Sequence, residues 1–160
     1  MQQNPKKIVV AQWVRMKCTF GCGNYGEGAC CPPNAPTVDE CQHFLEEYGE
    51  AVLFHVEKRL GNPNKGYDWS KGINKRLMDM EREVFLAGNE KAFLLVMSPC
   101  KICKKCAKSR GECKNKERAR PTPEAFAIDV FSTARQAGYP IEVLSDYTHK
   151  MNRYAILLIR

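Results

Sequence analysis

Residues 91–106 read KAFLLVMSPCKICKKC, an apolar run of strand length that passes directly into three cysteines at steps of three. Phe93 to Met97 predict a strand buried on both faces. The continuation, Cys100-Lys-Ile-Cys103-Lys-Lys-Cys106, has a spacing that few structures other than a metal site need, and Cys113 follows close behind. Fold and chemistry therefore meet at residues 98–100, where a core strand hands over to a thiol-bearing loop.

Working outward, elements of both kinds flank this junction. KKIVVAQWV, residues 6–14, reads as a first strand from its β-branched run Ile8, Val9 and Val10, with alternation continuing to Trp13. Glycines 21, 23, 26 and 28 and prolines 32, 33 and 36 make residues 18–36 a long loop. Thr37 and Glu40 form a capping-box signature for a helix whose apolar face is Val38, Cys41, Phe44, Leu45 and Tyr48. AVLFHVEK, 51–58, follows as a strand. Asp68 or Ser70 caps a second helix carrying Trp69, Ile73, Leu77, Met80 and Val84, with Gly88 at its end. Beyond the second cysteine segment, Thr122 and Pro123 open a third helix, EAFAIDVFSTARQA, closed by Gly138. Strands around IEVL and YAILLI end the chain and pair antiparallel through residues 145–152.

This order predicts a single α/β domain over 1–160, a mixed β-sheet with flanking helices and two cysteine-rich strand-to-helix loops, 18–41 and 100–113. A chain of 160 residues suffices for one core without help from disulfides or metals. With the first and third strands parallel, both loops would emerge at one edge of the sheet and be neighbours.

Nine cysteines fall in two bunches, Cys18, Cys22, Cys30, Cys31 and Cys41, then Cys100, Cys103, Cys106 and Cys113. No apolar run is long enough for a signal peptide or a membrane span, so the expected setting is the cytoplasm, with no membrane partner. In that reducing compartment such thiols read as ligands rather than staples. Three thiolates at steps of three can curl around one corner of an iron-sulfur cube; Cys113 would supply the fourth iron, an assignment that its six-residue gap, longer than in ferredoxin-type runs, leaves open. A single zinc, the alternative, more often takes two well-separated CxxC pairs.

The first bunch is less regular. Cys18 and Cys22 sit beside glycines that allow close backbone approach. Adjacent side chains diverge, so Cys30 and Cys31 do not readily serve one metal. Cys31, which precedes Pro32 as ferredoxin ligands do, is preferred. Cys30 reads first as a plain buried thiol. Cys41 is a further metal candidate, with a core thiol as its other reading.

The formal charge of +7 lies almost entirely in the second cysteine segment. Residues 101–120 hold nine cations against Glu112 and Glu117, and the rest of the chain balances at 16 of each sign. Lys101, Lys104, Lys105 and Lys108 thus mark a surface for an acidic redox partner, such as a flavodoxin-like protein or ferredoxin. A nucleic acid bound by a zinc-organised basic loop is the rival. Against it, residues 101–120 contain no aromatic side chain on which bases could stack.

The string CTFGCGNYGEGACCPPNAPTVDEC, the later CxxCxxCxxxxxxC and the following RPTPEAFAIDV resemble a prokaryotic family known as predicted metal-binding proteins of unknown function. The likeness spans nearly the whole chain and rests on the order CxxxC, CPP, CxxCxxC and RPxxEA. It implies Cys18, Cys22, Cys31, Cys100, Cys103, Cys106 and Cys113 as metal ligands. Members tend to have glycine where Ala127 stands.

No other catalytic constellation emerges. His43, His55 and His149 are isolated, and GCGNYGEG lacks the lysine and hydroxyl ending of a phosphate loop. The expected function is a 4Fe-4S protein with one or two clusters, acting as an electron carrier or redox accessory module. The alternative within metal chemistry is an enzyme with an open iron site.

Overall fold

The structure is a computed structural model that describes residues 1–59, 61, 62, 65–146 and 148–160. Helices and strands are interspersed along the chain. The strands are β1 (Gln2–Gln3), β2 (Ala51–Arg59), β3 (Phe93–Leu95) and β4 (Lys150–Leu158), and the helices are α1 (Gln12–Gly21), α2 (Val38–Glu46), α3 (Lys65–Leu86) and α4 (Val130–Gln136). One sheet has the order β1-β2-β4-β3.

Period-two alternation assigns its two faces. Leu53, Leu95, Tyr154, Ile156 and Leu158 join Ile8, Cys41, Leu45 and Phe126 in one buried cluster. Leu94, Val96, Ala155 and Leu157 join Leu77 of α3 in the other. Both faces are thus covered, which explains the uninterrupted apolar runs FLLV and YAILLI. Continuous runs are more common in parallel sheets, and here they mislead: every pair in this sheet is antiparallel. The α/β content holds, while the mixed strand directions are corrected.

The expected first strand is also corrected. Val10 makes a single bridge to Ile128, Val9 accepts from the Asp129 N–H at 2.7 Å, and the chain then turns into α1. Only three β-branched residues stand in a row, and Gln12, Arg15, Met16 and Lys17 favour a helix once that bridge is made. Trp13, Met16 and Phe20 consequently lie on an exposed face of α1, with Phe20 85% accessible. Cys18 is on the helix and Cys22 at its C-cap. The first cysteine segment therefore runs from helix to helix, and only the second leaves a strand.

Two further elements differ. The expected third helix is split: Glu124–Phe126 is a 3-10 turn, and α4 starts afresh from Asp129, whose side chain accepts from the Ser132 N–H. Ala127 at the break has φ 55 and ψ 21, the left-handed region that glycine enters without penalty. A glycine here would meet that backbone demand without the Cβ penalty. Residues 141–144 form no strand, so β4 pairs with β2 and β3 instead of with IEVL. Tyr147, within the expected connection, lies outside the described residues.

The cap expected for the second helix is corrected: α3 begins at Lys65, so Asp68 and Ser70 lie within it. Two other local readings hold. Thr37 Oγ1 accepts from the Glu40 N–H at 3.2 Å and Glu40 Oε2 from the Thr37 N–H at 2.7 Å, closing the capping box of α2. Gly88 and Gly138, at φ 98 and 78, follow α3 and α4.

Candidate metal centre

The second cysteine loop is held at both ends by α3. β3 is an edge strand, and its outward N–H groups need partners other than a strand. Glu81 Oε1 accepts from the Leu94 N–H at 2.8 Å, and Asn74 Oδ1 accepts from the Met97 N–H at 3.2 Å. Asn74 also donates to Ser98 Oγ at 2.9 Å, just before the loop begins. At the far end Arg120 Nε reaches both Glu81 oxygens, at 2.7 and 2.9 Å, while Val96 donates to the Pro121 carbonyl at 2.8 Å. One helix thereby fixes where residues 98–120 leave the sheet and where they return.

Between those anchors the loop has no regular structure, and its thiols gather around a cavity. Cys30, Cys100, Cys103, Cys106 and Cys113 line a space of about 250 Å³ with Ala29, Ile102 and Ala119. Cys113, Ala29 and Ala119 form its buried heart. The Cys30 thiol hydrogen-bonds Cys100, which holds Cys100 below the ordinary thiol value, at about 6, with help from the Ile102 and Arg120 backbone N–H groups and the Arg110 guanidinium. The same contact, with burial, pushes Cys30 up. Asn115 Nδ2 lies 2.9 Å from Cys103 Sγ, and Arg110 Nη1 lies 3.6 Å from Cys30 Sγ.

A second thiol group stands on the end of α1 and the loop that follows it. Cys18, Cys22 and Cys31 line a cavity of about 390 Å³ together with Thr122, Glu124 and Arg153. Burial raises Cys18, and Cys22 adds to the effect. Burial also carries Cys31 to about 11, with Cys22 and Cys18 adding to the rise. Glu124 on this lining is exposed, and desolvation by the protein around it raises its carboxyl. Arg15 closes the frame by donating from Nη2 to the Pro36 and Ala125 carbonyls at 2.8 and 2.9 Å.

The two segments are stitched together. Asn34 Nδ2 donates to the Lys108 carbonyl at 2.7 Å and to the Gly28 carbonyl at 3.2 Å, and Lys108 pairs with Glu27 at 3.1 Å. They are neighbours through these contacts rather than through a shared parallel edge.

Among the sequence-derived candidates, Cys100, Cys103, Cys106 and Cys113 come together at one cavity, and Cys18, Cys22 and Cys31 at the other. Cys41 lines neither. It is fully buried in the core, donates to the Pro36 carbonyl at 3.7 Å, and burial raises it to about 11. Cys30, read first as a plain thiol, belongs with the second set; adjacent cysteines do diverge, and they point to different cavities. Lys101, Lys104, Lys105 and Lys108 are all exposed. His43 and His149 are exposed, and His55 is bonded to Asn152 Oδ1 at 2.8 Å. Asn74, Glu81 and Arg120 escaped the sequence reading. Asn74 and Glu81 stand three before and four after Leu77, on the inward face of α3, and that spacing was the available signal.

Among the described residues no three His, Cys, Asp or Glu side chains converge on a single-ion site. The thiols ring a space instead. Soft sulfur donors, N–H groups directed at Cys100 and an apolar lining suit a thiophilic metal or an iron-sulfur group. No helix among the described residues is long and apolar enough to cross a membrane. Comparison with curated proteins and with solved structures gives no match. A family model described as "Predicted metal-binding protein (DUF2284)" matches residues 3–159, and with nearly its whole length covered the chain belongs to that metal-binding family.

Proposed function

We propose that the protein is an iron-sulfur protein that holds a 4Fe-4S cluster among Cys100, Cys103, Cys106 and Cys113, and that it serves as an electron carrier or redox accessory module. The observation that carries this reading is the gathering of those four thiols around one cavity of about 250 Å³. When bound, such a cluster supplies one-electron transfer at a potential set by nearby charge and hydrogen bonds. The chain's own contributions are of that kind. Ile102 and Arg120 donate backbone N–H groups to Cys100, Asn115 donates to Cys103, and Cys30 is a fifth thiol beside the set. Exposed Lys104 and Lys105 favour added negative charge and offer a surface to an acidic partner protein.

Cys18, Cys22 and Cys31 are the ligands of a second centre. Three thiols with Glu124 on the same wall favour a second reading for that site, an iron left open to substrate. The nucleic-acid reading has less support, because several cations of the basic segment are engaged within the protein. Arg118 pairs with Asp79 and Arg120 with Glu81, and Arg110 donates to the Lys116 carbonyl.

Anaerobically purified protein is expected to be brown and to contain iron and acid-labile sulfide approaching about four of each per cluster. Colourless protein with stoichiometric zinc overturns the proposal. Lys104→Gln with Lys105→Gln should lower the reduction potential and weaken association with an acidic partner; unchanged values in both assays reject the charge argument.

A further inference from the structure

On the far side of Cys100 lies a larger cavity, of about 520 Å³, within the range of small-molecule sites. Met78, Val96 and Ile102 give it apolar surface, while Lys71, Lys75 and Lys101 stand on its lining with Asp68 as the acid. Lys71 and Lys75 are one helical turn apart on α3 and exposed. Neither has an ion-pair partner among the described residues. Arg118 and Arg120 on the same lining are already paired with Asp79 and Glu81. The cavity therefore combines an apolar body with two lysines, Lys71 and Lys75, that carry no ion pair among the described residues, and its field is positive.

We infer that this cavity binds a small organic anion, an apolar body carrying a carboxylate or comparable acidic group, with the acid toward Lys71 and Lys75 and the body against Met78, Val96 and Ile102. An inorganic anion would leave the apolar wall unused. A neutral apolar molecule would leave the lysines without a counter-charge. Cys100, Ile102 and Asn115 line both this cavity and the thiol cavity, so the ligand would lie against the outer side of the metal-binding loop. That adjacency gains a redox meaning only through the iron-sulfur reading; the binding does not depend on it.

Calorimetric titration of the purified protein with 2-naphthoate tests the inference, with iron and sulfide counted on the same preparation so that the two proposals fail separately. One saturable site is expected. 2-Naphthalenemethanol, with the same body and no charge, should bind at least about tenfold more weakly, as should inorganic phosphate. Lys71→Gln with Lys75→Gln, at two exposed positions, should weaken 2-naphthoate at least about tenfold. Met78→Trp, which fills the apolar end, should abolish binding while circular dichroism stays native. No saturable binding, equal binding of the neutral analogue or of phosphate, or unchanged affinity in the lysine variant overturns the assignment.

Discussion

The two thiol cavities contain the same functional group and differ in what surrounds it. Cys18, Cys22 and Cys31 are carried by the end of a helix and the loop that follows, against the 3-10 turn at Glu124, and burial raises Cys18 and Cys31. Cys100, Cys103, Cys106 and Cys113 are carried by an irregular loop rich in cations, and there Cys100 is brought down to about 6 by the Cys30 hydrogen bond, backbone N–H groups and Arg110. Burial therefore holds Cys18 and Cys31 toward the protonated thiol, whereas Cys100 is held toward the thiolate at the expense of Cys30, which the same contact pushes up. A cysteine's chemistry is thus decided by the donors aimed at it. The residue count alone says little.

Four measurements can break or sharpen that contrast. The largest effect is expected from Cys103→Ala or Cys106→Ala, which should remove the metal of the second cavity, about four irons if a cluster is bound. Cys41→Ala should leave metal content unchanged. Equal metal loss in all three variants would erase the distinction between cavity and core thiols.

Arg120→Ala comes next. It leaves Glu81 buried without its cation and should cost about 3–5 kcal/mol in denaturant unfolding. Limited proteolysis should then cut within 101–118 before it cuts within 23–36. Simultaneous cleavage would mean that Glu81 does not act on the second loop alone.

Tyr154 tests the first cavity, which it lines. Burial raises its hydroxyl from 10.0 to about 12, and the hydroxyl donates to the Pro140 carbonyl. The folded value exceeds the unfolded one, so this stabilisation is complete below about pH 10 and is lost as pH rises through about 12. Tyr154→Phe should flatten the alkaline fall in stability over that window, followed by tryptophan fluorescence.

The smallest effect is expected at the seam. Asn34→Ala removes the bonds to the Lys108 and Gly28 carbonyls and should cost about 1–2 kcal/mol. Hydrogen exchange should quicken in both cysteine segments together. Quickening in one alone would show that the cavities are independent.

Legibility in the sequence followed the range of the interaction. Thr37 and Glu40 were readable because a capping box closes within three residues, and Leu94 and Leu95 because a core strand announces itself by its own apolar run. KKIVVAQWV was misread: the bridge that ends the strand at Val10 is made with Ile128, far along the chain, and the helix preference after it is weak. Asn74 and Glu81 share a helix face with Leu77, but nothing local says that β3 has a bare edge for them to satisfy. Cys30 could not be assigned from a CysCys pair, because which neighbour faces which cavity depends on where Cys100 lies.

By itself the sequence determined the thiol-bearing segments, their spacing, the concentration of positive charge beside one of them and the strands that form the core. These are properties of composition and of contacts within a few residues. Only the tertiary structure decided that the sheet is antiparallel, that Cys30 joins the second cavity while Cys41 stays in the core, and that α3 secures the second cysteine loop through Asn74 and Glu81. Those outcomes rest on partners far apart in the chain, whose pairing depends on which buried donors and acceptors remain to be satisfied once the core has closed.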